Sequence, residues 1–396
     1  MVPKLRFPEF HKALSWTIKK LNQLLIEAKR RNRSLELGPN DVLSVSGEYG
    51  CVNQIEFMGR SYAGASVKEY HVVEHGDIVY TKSPLKKNPY GIIKENKGKR
   101  GIVSTLYAVY RPLPGCSPTY LDHFFSGDYN LNAYLQPIVK KGAKNDMKVN
   151  NADVLKGNIC VPEIQEQQKI ADCLSSLDEL TTAHARKLNT LKIQKKGLMQ
   201  QLFPREGETQ PRLRFPEFRN AEEWVTRPLL EVAPLQRGFD LPSDEIRHGM
   251  VPIIYSNGPK GFHRSGMATG PGIVTGRSGT IGKIHFVESG EYWPHNTSLW
   301  VTSFKGHSPR FVFYLYKSIG FLRFSSGSGV PTLNRNDAHA FVTGIPLSMK
   351  EQQRIADCLT SLDALITAVT QELATLKTHK RGLMQQLFPS AEAVEA

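Results

Sequence analysis

The chain has 396 residues, 40% of them hydrophobic and 22% charged, with a formal net charge of +14 from 51 basic and 37 acidic side chains. That length exceeds one ordinary core and predicts two or three domains, and the balance is that of a folded protein. No apolar run reaches the ~18–20 residues that span a bilayer, and the opening stretch lacks the apolar core of a secretory signal. Five scattered cysteines without a CxxC pair exclude the usual zinc spacings and argue against a disulfide framework, so a reducing cytoplasm is expected.

Taken in chain order, residues 1–160 form a first block. It opens on a lead-in motif, Lys4–Phe10 (KLRFPEF), and a helical pattern is predicted from Trp16 to Arg33, ending in the basic run KRRNR. Short alternating runs with turn residues follow: DVLSVSGEYG, YHVVEHGDIVY and GIIKENKGKRGIVSTLYAVYR. They read as strands of a mixed, mostly β domain. Its loops offer Lys82, Ser83, Lys86, Lys87, Asn88, Tyr90, Lys99 and Arg100 to a partner.

A long helix is predicted over 161–204. Its heptad seam runs through Ile170, Leu174, Leu177, Thr181, His184, Leu188, Leu191, Lys195, Leu198 and Leu202. Alternating steps of three and four over more than four heptads are what two packed helices require. Glu166 near its start and a basic last turn suit the helix dipole. His184 in the seam is read as a packed histidine in preference to a metal or acid–base group, and Cys173 as a half-buried thiol.

The second block, 205–345, begins with a short linker, 205–211, and a second lead-in motif, Arg212–Phe218 (RLRFPEF). Strand-like runs VPIIYSNG, GIVTGRSGTIGKIHFV and YWPHNTSLWVTSF precede a helical FVFYLYKSIGFLRF. Here the candidate contacts are Ser256, Asn257, Lys260, Arg277, Ser278, Thr280, Lys283, Asn296, Thr297, Ser328, Thr332, Asn334 and Arg335. Arg and Lys suit guanine edges or phosphates, and Asn suits adenine.

Residues 346–396 repeat the long helix. The stretch Glu166–Pro204 returns as Glu351–Pro389 at a constant offset of 185 residues without a gap. The seam becomes Ile355, Leu359, Leu362, Ile366, Val369, Leu373, Leu376, Lys380, Leu383 and Leu387, and Cys358 repeats Cys173. The two lead-in motifs lie 208 residues apart, whereas the blocks between share no obvious identity. A helix of about 40 residues is ~60 Å long. With so short a linker the second helix must run back along the first, so the pair is expected to be antiparallel. The final QQLFP should then end near the first lead-in motif, giving an almost circular, pseudo-two-fold dumbbell.

The charge follows the same division. Residues 1–160 carry 24 Lys/Arg against 14 Asp/Glu and 205–345 carry 16 against 12, but 161–204 (6 against 5) and 346–396 (5 against 6) are nearly neutral. Two basic blocks suit a polyanion such as DNA, although many basic surfaces are only solvated faces.

Catalytic motifs fail when tested. GRSGTIGK at 276–283 has five residues between its first and last glycines where a P-loop needs four, and Ile284 where that loop needs Ser or Thr. KNPYG at 87–91 is similar to an amino-methyltransferase base-holding motif but lacks its second proline, and no glycine-rich cofactor fingerprint lies upstream. No PD…ExK nuclease cluster, HExxH zinc site or GxSxG elbow is present. No catalytic residue and no metal ligand is assigned.

With the LRFPEF motifs, the twice-used EQQ(K/R)IADCL…GLMQQLFP helix and the order of blocks in view, the sequence resembles the specificity subunit of type I restriction–modification systems over essentially its whole length. In the second block VPIIYSNG, GRSGTIG, NTSLWV and SGSGVPTLNR resemble a common target-recognition domain; in the first, LSVS, HGDIVY and GIVSTLYAVY do so less closely. The resemblance implies an α+β protein with two mostly β target-recognition domains separated by a long antiparallel two-helix coiled coil. It implies a non-catalytic subunit that reads a bipartite, asymmetric double-stranded DNA target, with the helices setting the unread spacer. It further implies docking of two methyltransferase subunits, which bring S-adenosylmethionine, and of motor-nuclease subunits where present. A self-contained methyltransferase or nuclease, and a coiled-coil adaptor without base readout, stand as the alternatives.

Overall fold

A computed structural model describes residues 2–64, 66–141, 147–327 and 329–389. The chain divides into two units, Met1–His184 with Glu372–Ala396, and Ala185–Gln371. Each holds one block and one half of each long helix.

In the first unit β1 (Thr17–Lys20) and β2 (Leu25–Glu27) flank a 3-10 turn, Leu21–Gln23. Next come β3 (Leu43–Ser46), β4 (Gly50–Asn53) and α1 (Gln54–Met58). Five strands follow: β5 (His71–Val73), β6 (Ile78–Thr81), β7 (Ile92–Glu95), β8 (Gly101–Val103) and β9 (Tyr107–Pro112). The block closes with α2 (Pro118–Ser126), α3 (Asp128–Leu135), β10 (Lys140–Lys141), β11 (Met147–Lys148), α4 (Asn151–Val154) and β12 (Asn158–Val161). The first long helix, α5, spans Ile164–Leu202.

The central antiparallel sheet has the order β2-β9-β6-β7. Strand β6 is buried along its length because both of its faces are covered. Ile78 and Tyr80 join Tyr120 and Phe125 in one core, while Val79 meets Val73, Val103 and Val109 on the opposite face.

The helical pattern expected over Trp16–Arg33 does not form a helix. Trp16, Leu21, Leu24 and Leu25 are all buried, so the apolar spacing was read correctly, but the backbone makes a strand, a turn and a strand. Residues Thr17–Lys20 pair with Asn158–Val161, 140 or so positions later, and that tertiary pairing overrides the local pattern.

The second unit runs β13 (Val225–Pro228), α6 (Leu229–Val232), β14 (Leu235–Arg237), β15 (Val251–Tyr255), β16 (Gly258–His263), β17 (Ala268–Thr269) and β18 (Gly272–Gly276). It continues with β19 (Ile284–Val287), β20 (Glu291–Pro294), β21 (Ser298–Val301), α7 (Pro309–Ile319), β22 (Ser325–Ser326) and β23 (Thr332–Leu333). Helix α8 (Arg335–Ala340), strand β24 (Val342–Ile345) and the first half of the second long helix, α9 (Met349–Leu387), end it. Its two four-stranded sheets are β14-β21-β18-β19 and β16-β15-β20-β17. Among the described residues no helix is long and apolar enough to cross a membrane.

The dissimilar blocks share a frame. In each, the strand just after a tryptophan pairs antiparallel with the last strand before the long helix: β1 with β12, and β13 with β24. Each block is thus entered and left at adjoining points.

Candidate nucleic-acid interface

The repeated motifs meet in three dimensions. In the first unit the Glu166 carboxylate, almost wholly buried, accepts Arg6 Nε and a second guanidinium N–H at 2.8 and 2.7 Å, and Trp16 Nε1 at 3.1 Å. In the second unit Glu351 accepts both Arg214 contacts at 2.7 Å and Trp224 at 3.1 Å. A bidentate guanidinium with an indole donor satisfies a carboxylate that burial would otherwise make costly. The hydrogen bond to Glu166 raises the Arg6 pKa, as that to Glu351 raises that of Arg214.

The next glutamine is a backbone clasp. Gln167 accepts from the Ser117 N–H at 3.0 Å and donates to the Pro162 carbonyl at 2.9 Å, while Gln352 repeats this with Ser308 (2.9 Å) and Pro346 (2.8 Å). Ser117 and Ser308 are the N-caps of α2 and α7, each followed by proline at the first helical position. This Ser-Pro start is a similarity between the blocks that sequence reading missed; the signal was two residues long. The lead-in motif also reaches the other long helix: the Leu5 N–H donates to Gln386 O at 3.0 Å, and Leu213 to Gln201 O at 2.9 Å. The end of the repeat therefore lies beside the first lead-in motif, as connectivity demanded.

The seam expected from the heptads is present. Every one of its positions in α5 and α9 is buried or half-buried, and within each unit the helices are antiparallel. In the second unit Lys195 reaches Asp363, and in the first Lys380 reaches Asp178. A third group joins each pair from the block. The Tyr314 hydroxyl donates to Asp363 at 2.9 Å and accepts from the Thr360 hydroxyl at 3.3 Å. At the equivalent point His123 faces Ser175 (3.1 Å) and Asp178 (3.9 Å), and burial lowers its pKa to about 4.

In the second unit several candidate residues converge on one loop cluster. The Arg277 and Ser278 N–H groups both donate to the Thr297 carbonyl, at 2.9 and 3.1 Å, and Arg277 Nε donates to the Asn296 carbonyl at 2.9 Å. Ser278 bridges Thr332, and the Ser256 N–H donates to the Thr297 hydroxyl at 3.4 Å. Two glycines make this possible. A Cβ on Gly276 would lie 1.8 Å from the Thr280 carbonyl oxygen, and Gly279 holds φ +85°. The glycine run leads into strand β19, where a P-loop would begin a helix.

Other candidates in that block stand apart or are already engaged. Asn334 is the N-cap of α8, its side chain accepting the Asn336 N–H at 3.0 Å, and Arg335 is exposed on that helix. Asn257 is exposed at the β15–β16 turn and Lys260 is exposed within β16, Lys283 is exposed before β19, and Asn296 donates to Asp240. Ser328 lies outside the described residues.

The first block's candidates fall into two groups at opposite ends of β7. Lys82, Ser83, Lys86, Lys87, Asn88 and Tyr90 occupy the β6–β7 loop, and Lys99 and Arg100 the β7–β8 turn. Asn88 is buried and donates to Asp128 at 2.9 Å, and the Tyr90 carbonyl accepts from Tyr80. Ser83, Lys86 and Lys87 are exposed. Arg100 is ion-paired with Glu36 (3.0 Å) and Glu74 (3.2 Å), and the hydrogen bond it donates to Glu36 raises its pKa; Lys99 is exposed beside it. At the other end Lys82 is lowered, mainly by burial and also by Arg31, a charge close by that was read only as part of a basic run.

The sequence matches the family model described as the type I restriction modification DNA specificity domain twice, at residues 67–193 and 221–378, together well over half of the chain. No curated protein matches the sequence. Among solved structures, the type I restriction–modification S subunit of M. genitalium is 16% identical, with 98% of this chain and 99% of that one covered and a TM-score of 0.64. A chain from a study of type I R-M complex assembly and conformational transition is 15% identical, with 94% and 97% covered and a TM-score of 0.52. At these identities the likeness is one of fold. Two matched domains on one duplicated frame identify the chain as a member of the type I restriction–modification DNA-specificity family.

Proposed function

We propose that this chain is the non-catalytic base-reading subunit of its complex, each block reading one half of an asymmetric, bipartite duplex target. The observation that carries the reading is the contrast between two unlike blocks and a frame repeated residue for residue around them: Arg6, Trp16, Glu166 and Gln167, then Arg214, Trp224, Glu351 and Gln352. Unlike readers give unlike half-sites, while a repeated frame suits a partner used twice. That partner is a methyltransferase subunit, which supplies S-adenosylmethionine and methylates adenine after flipping it from the duplex; a motor-nuclease subunit is the further partner where one is present. The paired helices hold the half-sites apart on one face of DNA, where they lie about one helical turn or a multiple apart.

The loop cluster around Arg277, Ser278, Asn296, Thr297 and Thr332 is the proposed reading surface of the second block. In the first block it is the Lys82–Tyr90 loop together with Arg31. The decisive experiment is modification-sensitive sequencing of host DNA with the gene present and deleted. Loss of methyl-adenine from one gapped, asymmetric motif supports the reading, and survival of every methylated motif overturns it. Methylation or cleavage by the purified chain alone would favour a self-contained enzyme.

A further inference from the structure

The turn that joins β20 to β21 in the second unit is held at every polar atom of Thr297. The Thr297 N–H donates to Nδ1 of His295 at 3.3 Å, and its hydroxyl lies 3.0 Å from the same nitrogen. Its carbonyl accepts from the Arg277 and Ser278 N–H groups, and its hydroxyl accepts from that of Ser256. Thr297 therefore has no polar group left for a base, and it braces the reading surface from within. The group this leaves available is Arg277. Its Nε is pinned on the Asn296 carbonyl, and its terminal nitrogens have no partner among the described residues. A guanidinium fixed in this way offers a flat pair of donors suited to a guanine edge.

Only one chemical state of His295 permits this arrangement. A backbone N–H can only donate, so Nδ1 is an unprotonated acceptor and the ring proton belongs on Nε2. The Thr297 hydroxyl then donates to Nδ1 and keeps its lone pairs for Ser256. The ring is fixed by its own backbone and by a neighbour. The His295 N–H donates to the Ile254 carbonyl at 2.9 Å, its carbonyl accepts from the Ser298 N–H at 2.9 Å, and its ring centroid is 4.2 Å from that of Tyr255. The charged group facing it is Asp240, from the loop after β14, itself paired with Arg237 at 3.2 Å. Burial lowers the His295 pKa, while Asp240 and a hydrogen bond with the Leu241 backbone act in the opposite sense. A proton on Nδ1 would set a donor against the Thr297 N–H and end that bond.

We infer that His295 is a positioning residue for the second half-site: unprotonated, it holds Thr297, and through Thr297 the Arg277–Ser278 segment, in the geometry that reads bases, and protonation releases them. The inference rests on the reading of this loop cluster as the second block's base-reading surface. It names the group that sets that surface and the condition under which the surface fails. Asparagine is the informative substitute. Its Oδ1 accepts in place of Nδ1 but gains no proton in mild acid, whereas leucine offers no acceptor at all.

The experiment compares the full-length chain with H295N and H295L. Anisotropy reads binding to a duplex carrying the methylated motif and to two duplexes with one half-site scrambled, at about pH 7.5 and about pH 5. Circular dichroism checks the fold, and discrimination at a half-site is the ratio of affinities for the intact and scrambled duplexes. H295L should lose about tenfold in discrimination at the second half-site, at both pH values, and read the first as the unaltered chain does. The unaltered chain should lose about twofold or more at the second half-site on acidification. H295N should match it at the higher pH and show no such loss at the lower one. A pH profile at the second half-site shared by the unaltered chain and H295N overturns the inference, as does normal reading of that half-site by H295L. So does a loss by H295N at the higher pH equal to that of H295L, since an acceptor at that point would then not suffice. If H295L is unfolded, the profiles of the other two proteins decide. Failure of the unaltered chain to distinguish intact from scrambled duplex at the higher pH would overturn the base-reading assignment itself, a separate result.

Discussion

Lys195 of α5 donates to Asp363 of α9, and the positions equivalent to them, Lys380 and Asp178, form the same bond with the helices exchanged. A lysine in an apolar seam looks like a fault in the heptads, yet both lysines find aspartates that antiparallel pairing brings opposite them. A one-heptad slip would leave all four charges unpaired, so these bonds specify register.

Lys195→Asp should destabilise the second unit by about 1 kcal/mol, a modest figure because Asp363 is part-exposed. Adding Asp363→Lys should recover most of the loss. A double-mutant cycle from denaturant melts measures the coupling, and additive single effects would contradict a register bond.

The lead-in clamp should matter more. Glu166→Gln leaves the buried Arg6 guanidinium without its anion and should cost about 3 kcal/mol, with Glu351→Gln costing a similar amount through Arg214. Calorimetry of the two variants should lower different transitions, since the two clamps lie in different units.

Acid should weaken the first unit through His123. Its pKa is near 4 in the fold and near 6.5 in an unfolded chain, so the unfolded state binds the additional proton between those values. Stability from this group is complete above pH 6.5 and is lost as pH falls toward 4, on the order of 2 kcal/mol by pH 5. His123→Tyr installs the residue found at the same place in the second unit, Tyr314, and should remove that share of the acid sensitivity. Melting curves at pH 7.5 and pH 5 give the comparison.

For DNA, Lys82→Ala and Arg31→Ala should each weaken binding and reduce the salt slope by about one. Lys99→Ala should have little effect if the far end of β7 faces away from the duplex. Equal losses at both ends would move the first block's reading surface.

Inserting seven residues at equivalent points of α5 and α9 should lengthen the methylated motif's spacer and preserve both half-sites. An unchanged spacer would rule out the helices as the ruler.

What the sequence disclosed follows from the range of the interactions. The heptads of α5 and α9 were legible because a period of 3.5 is local and was written twice. The roles of Arg6 and Glu9 were not, since their partners, Glu166 and Lys169, lie some 160 residues away. The strand at Thr17–Lys20 was misread for the same reason: its mate is Asn158–Val161. The loops of the second block were picked out by Gly, Ser and Asn content, and the glycine geometry around Gly276 explains why Arg277, Ser278, Thr297 and Thr332 converge while others stand apart. Asn88 and Asn334 were selected on residue type, but one amide is engaged with Asp128 and the other side chain caps a helix.

The composition of the units has a consequence for how the molecule is made. The second unit is one continuous stretch, Ala185–Gln371, and can be completed while synthesis is still under way. The first cannot. Leu5 waits for Gln386, and the core containing Ile170 and Leu174 waits for Leu387 and Phe388. The half of the protein that leaves the ribosome first is therefore finished last, and for the whole of that interval its apolar faces depend on not finding another mate. A stop codon a few turns before the end would remove almost none of the chain, yet it would leave the oldest part of it unsealed.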